Sequence, residues 1–128
     1  IGSLEARRAI GHDVAENAAA AAFRDPRFKP LTAAEYLATQ VEVSQLSPVV
    51  TLDIVDEDSA CASLRPHVDG VIFECRGQRA TFLPQVWTQF PEAHVFLRHL
   101  KQKAGFEPAF WSSDVRLSRY TVRKWCEP

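Results

Sequence analysis

The chain has 128 residues, a length that suits one domain with a sizeable hydrophobic core. Its residues are 46% hydrophobic and 24% charged, and a net charge of −1 excludes the overall basic field that attracts nucleic acids or anionic membranes. Three cysteines without a CxxC pair indicate neither a disulfide framework nor a zinc site. We therefore expect one cytoplasmic domain over residues 1–128. Because the first residue is Ile rather than Met, we also expect a fragment of a longer protein.

The first predicted helix runs from about Asp13 to Phe23. Its first turn is acidic, which suits the positive end of the helix dipole. One face at helical spacing is mostly alanine and consists of Val14, Ala18, Ala21 and Ala22. Such a face allows a neighbour to approach closely, so we expect a close-packed core helix.

The stretch FRDPRFKPLTAAE follows, over residues 23–35. A residue before proline avoids the α conformation, and Asp and Pro favour the first two positions of a turn. These preferences predict a turn at Asp25–Phe28, with amides bonded to the aspartate and Phe28 buried beneath as an anchor. Thr32 and Glu35 have the spacing of a capping box, which predicts a second helix.

Strand patterns dominate the middle of the chain. Residues 41–47 and 49–55 both alternate, and the second run predicts one shared face for Val50, Leu52 and Ile54. A short helix is expected after an N-cap at Asp58. The clearest hairpin is predicted at residues 71–83, with Gly77-Gln78 as the loop of a type II′ turn.

The longest helix is predicted to run from Pro91 to about Ala104, with Gly105 as its left-handed cap. Its core stripe consists of Ala93, Leu97, Leu100 and Ala104. Residues 114–125 are predicted to form a last strand. A change of phase in that strand suggests a bulge near Ser118–Arg119.

No catalytic or metal-binding motif is present. The histidines are scattered, and we expect surface or helix-end roles for His12, His67, His94 and His99. The acidic residues 53–58 lack the glycine and terminal glutamate of a calcium loop, so a solvated turn is expected there. Basic residues lie beside aromatic ones in the tail, a pattern that can grip single-stranded nucleic acid: Arg116, Arg119, Arg123 and Lys124. The net charge favours a cationic sheet face instead.

Four motifs occur in order along the chain: FRDPRFKPLTAAE, VEVSQLSP, DGVIFECRGQRATFLPQVW and VRLSRYTV. From Ile1 to about Val122 the chain resembles the AMME critical region protein family (AMMECR domain, AmmeMemoRadiSam system protein A). The resemblance implies an α+β fold: a curved barrel-like, mainly antiparallel sheet with packed helices, and larger and smaller lobes around a cleft. It also implies a MEMO-like protein and a radical SAM enzyme as partners, because members are commonly encoded with or fused to them.

The family's hallmark is a Leu-Arg-Gly-Cys-Ile-Gly run, of which this chain matches only Ile1 and Gly2. We therefore expect the N-terminal part of the family domain, with the arginine and cysteine of that run, to be missing from residues 1–128. Cys61, Cys75 and Cys126 do not align with the hallmark cysteine.

The resemblance places the Ile-Gly segment and the Asp-Pro-Arg-Phe turn near the cleft. We expect ligand-binding roles for Gly2, Ser3, Arg27, Thr81 and Gln85. Structural roles at the same site are expected for Asp25, Pro26, Phe28 and Pro84. Arg27 has two open interpretations: it binds an anion or a carbonyl, or it pairs with a carboxylate such as Asp25 or Glu35.

No catalytic residue and no cofactor can be assigned from the sequence. The favoured function is binding of a small anionic or carbonyl-bearing ligand or intermediate, in a pathway with the MEMO-like and radical SAM proteins. One alternative is a protein-interaction adaptor. A second is a cysteine-dependent enzyme whose thiol lies upstream of Ile1, and a third is a nucleic-acid binder that uses the tail.

Overall fold

A computed structural model describes all 128 residues, from Ile1 to Pro128. The chain divides into a smaller unit, Ile1–Gln45 with Lys124–Pro128, and a larger unit, Leu46–Arg123. Helices and antiparallel sheets make the fold α+β, as predicted. The sheets have four and two strands and no barrel is closed, so the barrel-like description is not confirmed. The single-domain organisation and the cleft stay predictions.

The smaller unit holds two helices, Ile10–Phe23 (α1) and Ala33–Tyr36 (α2). Strand Glu42–Leu46 (β1) pairs with Val122–Cys126, the last of six strands (β6). The capping box predicted at α2 is confirmed, because the Thr32 hydroxyl accepts a hydrogen bond from the Glu35 amide and the Glu35 carboxylate accepts one from the Thr32 amide.

Helix α1 begins at Ile10 rather than Asp13, and none of its residues is buried. The prediction of a close-packed core helix is therefore wrong. An alanine face permits close approach, but one methyl group per residue buries little apolar area and drives packing weakly. Asp25 is the sole buried residue of the smaller unit.

The larger unit is built on a four-stranded sheet. Its strands are Val50–Thr51 (β2), Gly70–Cys75 (β3), Gln78–Phe82 (β4) and Arg116–Tyr120 (β5), and their order in the sheet is β2-β5-β3-β4. Its helices are Glu57–Ser63 (α3), the 3-10 helix Pro84–Thr88, and Ala93–Lys103 (α4).

Several boundaries differ from prediction. The N-cap of α3 is Asp56 rather than Asp58, because the Asp56 carboxylate accepts a hydrogen bond from the Ser59 amide. Strand β2 is shorter than residues 49–55, and its Val50 is exposed while Leu52 and Ile54 pack against the core. Helix α4 starts at Ala93 and is shorter than α1, so it is not the longest helix.

The hairpin β3–β4 is confirmed, but its loop is one residue earlier than predicted. Cys75 pairs with Gln78, which leaves Arg76 and Gly77 as the two loop residues. Both have positive φ angles, 51° and 78°, and this combination defines a type I′ turn rather than type II′. Gly105 also has positive φ, as predicted for the cap after α4.

The tail forms two strands rather than one bulged strand. Strand β5 pairs with β3 in unbroken register over residues 116–120, so the bulge at Ser118–Arg119 is wrong. The phase change lies at Thr121, where the chain leaves the four-stranded sheet and β6 joins β1.

The core of the larger unit is centred on Trp87, which stacks on Phe96 with ring centroids 3.8 Å apart. The Trp87 indole donates a 2.7 Å hydrogen bond to the carbonyl of buried Asp69. The Asp69 carboxylate accepts three hydrogen bonds from Arg65, one of them from its backbone amide. A buried charge is thereby fully paired, as burial requires.

A second buried charge joins α4 to α3 and to the segment after α4. The Lys101 ammonium is fully buried and donates to Glu57 at 2.6 Å and to the Phe110 carbonyl at 2.9 Å. Removal of the Glu57 carboxylate would leave the buried ammonium without its charged partner. Lys101 is thus a structural residue.

Gly70 lies opposite Tyr120 in the register of β3 and β5. A Cβ atom at residue 70 would lie 2.2 Å from the Tyr120 ring, whereas a Cβ at Gly11, in α1, meets nothing within 4 Å. We expect Gly70→Ala to destabilise the protein by about 1–3 kcal/mol through overpacking. Gly11→Ala is the matched control and should raise stability by about 0.5–1 kcal/mol through helix propensity. Urea unfolding measures both, and equal effects would contradict the packing argument.

Candidate functional site

The Asp25–Phe28 turn is ordered and non-helical, as predicted. The Phe28 amide donates to the Asp25 carbonyl at 3.2 Å, which closes a four-residue turn. The Asp25 carboxylate accepts a 3.1 Å hydrogen bond from the Arg27 amide. Pro26 occupies the second position of the turn, where the fixed φ of proline is favoured. The local sequence therefore determines the direction in which Arg27 leaves the backbone.

The Arg27 guanidinium is bound on one side by Asp25. Its Nε donates to Oδ1 at 3.0 Å and its Nη2 donates to Oδ2 at 2.7 Å. The Asp25 side chain is buried, but that of Arg27 remains 69% exposed. A guanidinium has five N–H donors, so three of them, two on Nη1 and one on Nη2, are left without a partner in the chain. Both interpretations of Arg27 thus stay open, because the ion pair fixes the side chain without enclosing it.

The electrostatics of the turn favour a permanently ionised pair. Hydrogen bonds from the Arg27 side chain and then from its backbone amide lower the pKa of Asp25 to about 2. The Arg27 pKa is raised in return by Asp25.

Phe28 is 68% exposed, so the prediction that it is a buried anchor is wrong. Its ring lies beside the Arg27 guanidinium, with 5.4 Å between Cζ and the ring centroid. The turn is held by the Asp25 carboxylate, and these polar contacts replace the apolar anchor that the sequence led us to expect.

The N-terminal segment is held by a polar cluster on α1. Ser3 donates its hydroxyl proton to Asp13 at 2.9 Å and accepts from Asn17 at 3.0 Å, and Arg8 donates to Asp13 at 2.8 Å. These hydrogen bonds lower the pKa of Asp13, and the bond from Arg8 contributes most. Gly2 has open space where a Cβ would lie, so no close approach within the chain requires glycine there.

The other predicted ligand-binding residues lie in the larger unit. The Thr81 hydroxyl donates to the Val71 carbonyl at 2.8 Å and lies 2.8 Å from the Tyr120 hydroxyl, which leaves it little capacity for a ligand. Gln85 is exposed in the 3-10 helix that Pro84 begins, directly after β4. That Thr81 and Gln85 share a site with Arg27 stays a prediction.

Two of the three cysteines, Cys61 and Cys75, are buried and poorly suited to act as nucleophiles. Burial, with the nearby Glu57 carboxylate, raises the pKa of Cys61 to about 11, and burial raises that of Cys75. Cys126 is exposed at the end of β6. The nucleophile that a cysteine enzyme needs, a thiolate at neutral pH, is disfavoured at both buried positions.

Histidines and acidic residues form no metal-binding group of three or more. His94 lies 3.1 Å from Asp58, and His99 stacks on Phe90 with centroids 3.9 Å apart. No helix is both long and apolar enough to cross a membrane.

The basic residues of the tail are divided between faces. Arg116 and Arg119 are three residues apart in one strand and therefore point to opposite sides of the sheet. Arg119 donates to the Ser63 carbonyl, and Lys124 pairs with Glu42 at 3.4 Å. They do not make one cationic stripe.

A family model described as AMMECR1 matches residues 1–125. The chain belongs to the AMMECR1 family. A protein of Methanothermobacter thermautotrophicus is 36% identical over 110 residues, which cover 84% of this chain and 57% of the relative. A protein of Methanocaldococcus jannaschii is 34% identical over 110 residues, which cover 84% of this chain and 55% of the relative.

The fold of this AMMECR1 chain is also similar to a solved structure. The crystal structure of an uncharacterized protein of Pyrococcus horikoshii matches with a TM-score of 0.83 and 27% identity, and the match covers 91% of this chain and 58% of that protein. The chain thus spans a little over half the length of the relatives it matches.

The sequence identified the turn and named Asp25 as one of two candidate partners of Arg27. It missed the polar cluster of Ser3, Asp13 and Asn17. The signal available was an aspartate and an asparagine at i and i+4 on one helix face, but nothing local indicates that a serine ten residues upstream returns to them.

We expect the carboxyl group of Asp25 to titrate at about pH 2, against about 4 for an ordinary aspartate. Because the folded pKa is the lower one, the ion pair stabilises the protein above pH ~4, and this contribution is lost as the pH falls toward 2. A carbon-detected NMR titration of Asp25 measures the midpoint. A midpoint near the ordinary value of about 4 would refute the ion pair.

We expect Phe28→Ala to change the free energy of unfolding by less than about 0.5 kcal/mol, because the ring is exposed. Phe96→Ala, at a fully buried ring, should cost about 3–5 kcal/mol in the same urea experiment. A large loss for the Phe28 variant would restore its role as an anchor.

Proposed function

We propose that this AMMECR1 chain binds a small ligand through an anionic or carbonyl group, as one component of a pathway that includes a MEMO-like protein and a radical SAM enzyme. The observation that carries the proposal is the state of Arg27: its guanidinium is held by two hydrogen bonds to Asp25, yet its side chain is 69% exposed. The resemblance to the AmmeMemoRadiSam proteins supports the partners.

A guanidinium held in this way is prepared for binding. Asp25 occupies the Nε–Nη2 side, and the Nη1–Nη2 side keeps two parallel donors of the kind that binds a carboxylate, a phosphate or a carbonyl. Because the side chain is already fixed, ligand binding does not have to offset the entropic cost of ordering an arginine.

The charge around the turn favours an anion over a neutral carbonyl. Residues 24–29 contain Arg24, Arg27 and Lys29 against the single carboxylate of Asp25. Arg24 has only a long contact, 3.9 Å, to Glu16. An excess of positive charge therefore remains after the Asp25–Arg27 pair is counted.

We expect acetate and phosphate, the simplest carboxylate and phosphate probes, to shift the amide NMR signals of residues 25–29. Arg27→Gln should weaken this binding by at least about tenfold, because a charged hydrogen bond is lost. Arg27→Lys, which keeps the charge beside Asp25 but lacks the parallel donors, should weaken it as well. Acetamide serves as the neutral carbonyl probe and should bind less tightly than acetate.

Arg24→Gln is the control, since it removes one exposed positive charge from the same segment and leaves the Arg27 donors in place. If Arg24→Gln and Arg27→Gln weaken binding equally, the effect is only one of net charge and the Arg27 site is refuted. Circular dichroism of each variant verifies that the fold is retained.

A protein-interaction adaptor is the second candidate, and exposed apolar side chains favour it. Phe23, Tyr36 and Leu37 are 56%, 69% and 90% exposed, and all lie in the smaller unit. Exposed apolar groups of this kind are typical of interaction surfaces. An adaptor would depend on these side chains and would not need the donors of Arg27.

A further inference from the structure

Phe28 is the immediate neighbour of the free donors of Arg27. The guanidinium carbon lies 5.4 Å from the centroid of the Phe28 ring, and 68% of Phe28 is exposed. The aromatic residue and the cation are consecutive in a turn that the Phe28 amide closes on the Asp25 carbonyl, and three hydrogen bonds join Arg27 to the Asp25 carboxylate. Their separation is therefore set by the backbone as well as by the side chains.

This geometry constrains the part of a ligand that follows its acid group. A carboxylate bonded to Nη1 lies about 3 Å from that atom, so a ligand that extends from there toward Phe28 brings its next few atoms within several ångströms of the ring. A polar group there would lose water without gaining a partner, whereas an apolar or aromatic group would cover the exposed ring.

We infer that the ligand of Arg27 is an aromatic acid, with a planar ring attached to its carboxylate directly or through one carbon, and that Phe28 is the residue that selects the ring. This inference rests on the proposed function, because it assumes that the free donors of Arg27 bind an acid. It goes further by naming the chemistry beside the acid group.

An aromatic ring is favoured over an aliphatic ring of the same size because two aromatic rings gain energy from an offset or edge-to-face contact beyond the area that they bury. The ring that would supply this contact, Phe28, follows Arg27 directly in the turn. A bare phosphate or acetate uses only the Arg27 donors and leaves the Phe28 ring uncovered.

The test is a comparison of benzoate with cyclohexanecarboxylate, which have equal charge at pH 7 and similar size. NMR titrations of the full 128-residue chain measure both dissociation constants. We expect benzoate to bind about three- to tenfold more tightly, the range that aromatic pairing supports. Phe28→Leu should abolish the preference for benzoate and make the two affinities equal.

Tyr36→Leu is the matched control, because Tyr36 is an aromatic residue of the smaller unit with nearly the same exposure, 69%. It should leave the preference for benzoate intact. Phe28→Leu is not expected to unfold the protein, since the ring is exposed, and thermal melting of the variant verifies this.

The outcomes separate the two proposals. If both acids bind equally and Arg27→Gln weakens both, the proposed function holds and the aromatic inference is overturned. A preference for benzoate that survives in Phe28→Leu also overturns the inference. If neither acid depends on Arg27, the proposed function fails and the inference fails with it.

Discussion

All buried apolar side chains of this protein lie between Ala60 and Tyr120, within the larger unit. Burial of apolar area is the main favourable term in folding, so the stability of the chain depends on the contact of Trp87, Phe96 and their neighbours with β3 and β5. The two buried charges, Asp69 and Lys101, fit into this core because each is fully paired. Gly70 is required there because the Tyr120 ring occupies the space above it.

The smaller unit is held by polar contacts instead. Its turn depends on Asp25, its N-terminal segment on Asp13, and its second helix on the capping box at Thr32. Hydrogen bonds and ion pairs of this kind are directional but contribute little net stability each. They define local geometry well, which is what a binding residue needs, and they leave apolar side chains such as Phe28 and Leu37 exposed.

The same ion pair has consequences for stability and for function. The Asp25 carboxylate removes two of the five Arg27 donors from use, but in return it orients the other three. Without Asp25 the turn would carry one more net positive charge, and Arg27 would be less well positioned. This AMMECR1 chain spans a little over half the length of the relatives it matches, so the activity of those whole proteins does not follow from the residues described here.

The sequence by itself determined the features whose partners lie within a few residues. The Asp25–Phe28 turn, the Thr32 capping box, the β3–β4 hairpin and the Gly105 cap all depend on local backbone preferences and short hydrogen bonds. Burial and strand partners, by contrast, depend on contacts between distant parts of the chain. The exposure of Phe28 and α1 and the division of the tail at Thr121 depend on which distant surfaces meet, and residue type and periodicity carry no information about that.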